Sequence, residues 1–319
     1  MALADAPGSL GAGGLPRRGR ALPRLLAAGA VPPPALILLG ILSVQVGAGL
    51  AKHLFDRLPP SAVVFLRLLT SAIVLGVLAR RPLRTALADH SPRSLAVAAG
   101  FGLSLCAMNT CIYQAFSRIP LGVAVTIEFV GPLAVAVLAS RRARDFAFAL
   151  LAAAGVLLLA RGGGEHLDLL GVAFALLAGV GWAAYILLSA ATGRRFSGST
   201  GLALASLVAA AVAVPSGVAA GGTALLDWRL LLFGLGVGLL SSVIPYTLEM
   251  EALRRVPPRV FGVLMSLEPA VAALIGVLLL GEVLDVKQWV AIGCVIAASA
   301  GATLAGRARD GGSGDAPGG

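Results

Sequence analysis

Ten apolar runs follow one another along this chain, each long enough to cross a lipid bilayer. They occupy roughly residues 35–54, 61–79, 94–116, 121–140, 145–161, 168–190, 199–220, 230–250, 260–280 and 287–306. About 17–23 residues, rising 1.5 Å each, cross the ~30 Å hydrocarbon layer. The runs are continuous and rich in Ala and Leu, without the alternation of a membrane β-strand, so they predict helices. Composition agrees: 58% of residues are hydrophobic and 13% charged, against about a quarter charged in ordinary soluble domains. Mean hydropathy is +0.93. Only 5% are aromatic, so the apolar mass is mostly Ala, Leu, Val and Gly, which suits close helix packing in a membrane. The expected fold class is an all-α membrane protein with ten transmembrane helices.

A formal charge of +10 would suggest nucleic acid in a soluble protein. Here the basic residues sit in the gaps between runs, and their distribution is uneven. The two tails and the even-numbered gaps hold 18 of the 25 Lys and Arg, the odd-numbered gaps together with the run ends beside them (Lys52, Arg161 and Lys287) hold six, and Arg67 alone lies deep inside a run. Positive residues gather on the cytoplasmic side. The three-to-one bias predicts a multi-pass protein with both termini in the cytoplasm, lipid around it and no nucleic-acid partner. Residues 1–34 and 307–319 are rich in Gly, with Pro and Arg prominent in the first, and read as disordered cytoplasmic tails. Arg17, Arg18, Arg20 and Arg24 look like the start of a signal peptide. The run Pro32-Pro33-Pro34 and the nine later spans favour a retained first helix instead.

The two halves match at a constant offset of 137 residues: Ala115 with Ala252, Arg118 with Arg255, Pro120 with Pro257, Pro132 with Pro269, and Asp145 with Glu282. Each half, 35–161 and 168–306, then holds five spans. An odd number per half puts the halves in opposite orientations. Such an inverted 5+5 repeat is a recurring architecture of secondary transporters, with the substrate site near the midplane.

Charge inside a span is expensive, ~2.5–3.5 kcal/mol or more, so intramembrane ionisable residues are functional candidates. Glu128 lies in the fourth span and Glu268 in the ninth, near Pro132 and Pro269. A proline removes a backbone donor and frees a carbonyl beside the acid. Each glutamate is either a substrate or proton site, or a structural acid that fixes packing. Arg67 either binds a substrate carboxylate through its fork or pairs with an acid or an interface. Gln45, Asn109 and Gln114 line the same cavity or bond between helices. Trp182 and Tyr185, mid-span in the sixth run, form a pocket wall or plain core. Pro245, three residues after Ser242, predicts a kink in the eighth span. Glu249 and Glu251 precede Arg254 and Arg255 and read as surface ion pairs.

Other chemistry is missing from the pattern. Cys106, Cys111 and Cys294 lie in apolar runs and read as packing residues. The histidines, His53, His90 and His166, fall in different gaps without zinc spacing. Gly234, Gly236 and Gly238 suit helix packing, and Gly162-Gly163-Gly164 a turn. Neither makes a phosphate loop. No catalytic constellation, cofactor site or metal site is expected.

Four segments carry a family likeness: "SVQVGAGLAKHLF" (43–55), "PLGVAVTIEFVGPLAVAVLASRR" (120–142), "PYTLEMEAL" (245–253) and "FGVLMSLEPAVAALIGVLLLGE" (261–282). They resemble the EamA-type branch of the drug/metabolite transporter superfamily, and within it the bacterial inner-membrane threonine/homoserine exporters. The resemblance implies ten helices, an inverted repeat and proton-driven efflux of small neutral amino acids. Export of another metabolite or drug by the same fold is one alternative. A membrane enzyme or scaffold without transport is another. In the exporter reading, Glu128 and Glu268 take the ammonium or the proton and Arg67 the carboxylate.

Overall fold

The computed structural model describes residues 31–138, 143–161, 168–197, 199–253 and 255–305, and among them every regular element is a helix. The tails expected to be disordered fall outside these residues, apart from 31–34, as does the Gly162-Gly163-Gly164 turn. In chain order the helices are α1 (Pro33–Leu54), α2 (Pro60–Leu78), α3 (Arg80–Asp89), α4 (Pro92–Phe116), α5 (Leu121–Glu128), α6 (Val130–Leu138) and α7 (Ala143–Arg161). There follow α8 (Leu169–Gly193), α9 (Thr200–Gly221), α10 (Trp228–Gly238), α11 (Ile244–Leu253), α12 (Pro258–Met265), α13 (Glu268–Leu280) and α14 (Val286–Ala305). Among the described residues nine segments are long and apolar enough to span a bilayer, and α7, apolar over the shorter stretch Phe146–Leu159, takes the place of the tenth. The protein is a multi-pass membrane protein.

One element was not expected. Helix α3 sits in the second gap, where apolar residues such as Leu83 and Ala86 are too few and too interrupted by Arg and Pro82 to read as a run. Leu83 and Ala86 lie three apart on one helical face and bury it against Phe196 and Leu204.

Prolines and polar caps set the helix starts. Pro60 and Pro92 stand at the first helical position, where a missing N–H is no loss. Asp168 accepts from the Leu170 and Gly171 amides at 2.8 and 3.3 Å and so caps α8. Asp227 does the same for α10 through the Arg229 amide at 2.9 Å.

The internal repeat appears in the backbone. Pro120 and Pro257 precede α5 and α12 with nearly the same conformation, φ −56°, ψ 144° and φ −58°, ψ 143°. The fourth span breaks at Phe129 between α5 and α6. The ninth breaks at Ser266 and Leu267, the same place at the 137-residue offset. The cause is shared: Pro132 and Pro269 cannot donate to the carbonyls of Glu128 and Met265 four residues back. Helix contacts obey the same exchange of halves. Helix α4 packs on α8 as α11 packs on α1, and α5 and α6 lie on α8 as α12 and α13 lie on α1. The pairs α2 with α9 and α7 with α14 cross between halves. The ten spans thus form an inverted 5+5 repeat.

The exchange fails most plainly between the fourth and ninth spans. Helix α5, all of whose residues are buried, packs closely on α13. A Cβ on Gly122 would stand only 2.5 Å from the Ala273 Cα. Its counterparts, α12 and α6, form no comparable packing among the described residues. The fourth and ninth spans are closed together at one end and parted at the other.

Candidate functional site

The parting of α6 and α12 opens a cavity of about 410 Å³ inside the bundle, within the range of small-molecule sites. Gln45, Arg67, Asn109, Glu128, Trp182, Tyr185 and Glu268 all line it, as do Pro132 and Pro245. Pro269 is buried behind Glu268 and acts through the break it imposes. Gln114 is elsewhere: its backbone and side-chain oxygens accept from Arg118 at 2.6 and 2.7 Å near the end of α4.

Arg67 is held by the eighth span, not by an acid. Between α10 and α11, residues Leu239–Val243 form a π turn, in which the Ile244 amide reaches back five residues to the Leu239 carbonyl. The Leu240 carbonyl thereby loses its usual donor, and Pro245 has no N–H for the carbonyl of Ser241. Neighbouring helices supply both. Ser43 Oγ of α1 donates to the Leu240 carbonyl at 2.7 Å. Arg67 Nη2 of α2 donates to the Ser241 carbonyl at 3.0 Å. Arg67 Nε also donates to Ser242 Oγ at 3.2 Å, and Nη1 to the Tyr113 hydroxyl at 3.3 Å. The guanidinium lies 5.4 Å from the Tyr113 ring centroid. Three of its five N–H groups are used in this way. The expected kink at Pro245 is therefore a π bulge, a feature that clusters at functional sites.

The cavity wall is also rich in acceptors. Gln45, 2% exposed, donates its Nε2 to Glu268 Oε1 at 3.0 Å. Asn109 donates its Nδ2 to the Leu105 carbonyl at 2.8 Å. Both amides thus turn their oxygens outward from these bonds. Gln45 Oε1, Asn109 Oδ1, Glu268 Oε2 and Ser241 Oγ are buried and have no hydrogen-bond partner among the described residues. An unpaired buried acceptor is costly, ~1–3 kcal/mol, and marks a place for a donor from outside the chain. Trp182 stands edge-on to Phe129, centroids 5.2 Å apart, and Tyr185 packs on Phe101 at 5.1 Å. Among the described residues no group of His, Cys, Asp and Glu is placed to hold a metal ion.

Glu249 departs from the surface ion-pair reading. Glu251 bonds Arg255 one turn on, while Glu249 lines the cavity. Residues two apart on a helix point about 200° apart, so the two acids cannot share a face. Gly40 of α1 makes room: a Cβ there would stand 3.7 Å from Glu249 Oε1. The signal was present in the spacing, since Ser242, Pro245, Tyr246 and Glu249 recur at three and four residues and form one stripe.

The small residues at helix crossings have defined partners. Gly131 and Gly179 touch backbone to backbone where α6 crosses α8, with no room for a Cβ. Gly234 and Gly238 face Leu66 and Thr70 of α2, whereas Gly236 has nothing against it.

Known proteins share this arrangement of sequence and fold. A family model described as the EamA-like transporter family matches residues 169–304. The threonine/homoserine exporter RhtA of Escherichia coli strain K12 is 43% identical over 274 residues, covering 85% of this chain and 91% of that protein. The exporter of the same name from Salmonella typhimurium strain LT2 is also 43% identical over 274 residues. A solved crystal structure superposes with a TM-score of 0.57, covering 87% of this chain and 99% of its own, at 20% identity. That likeness is one of fold. With ten spans in an inverted repeat and this identity along nearly the whole bundle, the chain is a transporter and not an enzyme, and it belongs to the EamA-like transporter family.

Proposed function

We propose that the protein is a secondary exporter of small neutral amino acids, threonine and homoserine among them, driven by proton exchange. The carrying observation is the polarity of the cavity: unpaired acceptors around Glu268, Gln45 and Asn109, and unused donors on the Arg67 fork. A zwitterion supplies what each side lacks. Its ammonium brings three donors to Glu268 and Gln45, and its carboxylate meets the guanidinium. A side-chain hydroxyl, as in threonine or homoserine, adds a donor and an acceptor for Asn109 or Ser241. Glu128, Glu249 and Glu268 also outnumber the guanidinium in the cavity wall, which leaves room for a proton to replace the departing ammonium. The names of the 43% identical relatives support the same substrate class.

The charge bias supports a bacterial inner-membrane setting with both termini in the cytoplasm and residues 35–161 and 168–306 as the two repeats. The Lys52 end of the bundle then faces outward, and the parted α6 and α12 face the cytoplasm, where an exporter collects its substrate. The test is threonine efflux from proteoliposomes under an imposed proton gradient, with Glu128→Gln beside the parent. Loss of most gradient-driven efflux in the variant is expected. Full pH-driven efflux by Glu128→Gln would sink the coupling role, and flux of other solutes with none of amino acids would sink the substrate class.

A further inference from the structure

At the closed end of the bundle, away from the cavity wall, one acid joins three separate segments. Glu282 Oε1 accepts from Lys52 Nζ at 2.6 Å, and Glu282 Oε2 accepts from the Leu121 amide at 2.8 Å. Lys52 Nζ also donates to the Ile119 carbonyl at 3.0 Å. His53 lies against the Leu279 carbonyl at 3.2 Å. The end of α1, the start of α5 and the turn after α13 are therefore tied at one point. The turn is shaped for this contact. Gly281 takes the left-handed conformation, φ 66°, open to glycine at little cost. The Glu282 carboxylate fills the space that a Cβ on Gly276 would need. Lys52 and Glu282 side chains are 22% and 10% exposed, so water screens the pair weakly.

We propose that Lys52 and Glu282 form the outer gate of the transporter, a tie that holds the Lys52 end shut while the cavity faces the other side. Substrate in the cavity reaches the Lys52 side only when α13 leaves α5, and this requires the Lys52–Glu282 pair and the Leu121 bond to break together. The tie has no mirror image. At the 137-residue offset Lys52 corresponds to Ser189, which carries no charge, and Leu121 to Pro258, which has no N–H to give. The inverted repeat supplies two similar ends, and these substitutions remove two partners of this particular tie from the other. Among the described residues α6 and α12 share no packing comparable to that of α5 and α13.

The gate rests on transport by this fold and not on the identity of the substrate, so it is tested without one. In a chain whose Cys106, Cys111 and Cys294 are replaced by serine, Ala48→Cys places a thiol in the cavity wall, one turn from Lys52 on the same face of α1. A membrane-impermeant, charged thiosulfonate is added from the Lys52 side. The parent thiol labels slowly. Lys52→Met and Glu282→Gln are each expected to raise the labelling rate roughly tenfold, the scale of losing one charge-assisted hydrogen bond. Lys52→Arg, which keeps the cation, stays protected. Labelling rates within about twofold of the parent in both loosened variants, with melting temperatures unchanged, overturn the gate. A second arm serves if those variants fail to fold. A short bismaleimide joining Lys52→Cys to Glu282→Cys is expected to stop efflux, and full efflux with the cross-link in place overturns the proposal. Failure of threonine flux with intact gating of the thiol would instead point to the substrate assignment.

Discussion

Arg67 has two tasks in this account, and a pair of substitutions separates them. The guanidinium satisfies the Ser241 carbonyl, left without a donor by Pro245, and its unused N–H groups face the cavity. Arg67→Met removes the 3.0 Å bond to that carbonyl and strands a buried acceptor, a loss of about 1–3 kcal/mol. The same change removes a charged group from the membrane interior, a gain of about 2.5–3.5 kcal/mol on insertion scales. The bonds to Ser242 and Tyr113, at 3.2 and 3.3 Å, are at the long end of the useful range and shift the balance little. The net change in stability of Arg67→Met therefore lies between a loss of about 0.5 and a gain of about 2.5 kcal/mol, and the melting temperature alone does not isolate the bond. Pro245→Ala restores an N–H four residues after Ser241. In the parent that N–H finds the carbonyl already occupied, whereas in Arg67→Met it finds it free. The two changes should couple favourably by about 1–2 kcal/mol. The assay is reversible unfolding of the four proteins in mixed detergent micelles, read as a double-mutant cycle. Additivity within about 0.5 kcal/mol would refute the claim that Arg67 replaces the missing donor. The same cycle tests function: the doubly changed protein should be at least as stable as the parent and still export no threonine, because no fork remains for the carboxylate. Export by that protein would reduce Arg67 to a structural role.

Four further outcomes follow from single side chains. Gln45→Leu removes the donor that orients Glu268, and it should raise the half-saturating threonine concentration about tenfold while leaving the protein folded, as measured by counterflow. Gly131→Val drives a side chain into the backbone of Gly179, and it should destabilise the bundle by at least about 1–3 kcal/mol in a detergent melt. Glu251→Gln breaks a one-turn ion pair at the end of α11 whose side chains are 14% and 24% exposed, and it should cost about 1–3 kcal/mol of stability yet leave efflux intact. Glu249→Gln, two residues away, should reduce efflux severalfold, and equal behaviour of the two variants would count against the cavity assignment of Glu249.

Much of this molecule was legible in one dimension, because a bilayer offers so few solutions to a chain. Backbone groups must be satisfied within each span, so an apolar run of sufficient length is a helix, and its flanking charges suggest its direction. The prolines at 120, 132, 257 and 269 carried the repeat, since proline acts on its own backbone and its effect is local. They foretold the broken fourth and ninth spans. The intramembrane acids and Arg67 stood out for the same reason: their desolvation is a property of the span, whatever its neighbours. What stayed hidden depended on partners far away in sequence. Glu249 read as a surface acid because Arg254 and Arg255 follow it closely, although its spacing from Ser242, Pro245 and Tyr246 marked the cavity stripe, and the crossing of α11 over Gly40 of α1 gives it room there. Gln114 is a different case: it read as a cavity residue or an interhelical bond, and its partner is instead local, Arg118 four residues on. The Arg67 fork meets carbonyls some 174 residues on, and Glu282 meets Lys52 across 230. Sequence alone determined which segments cross the membrane and where two of them must break. Tertiary structure alone decided which polar groups meet, and that Lys52, Glu282 and the Leu121 amide tie one end of a nearly symmetric bundle, because hydrogen bonds and ion pairs act over a few ångströms in space regardless of separation along the chain.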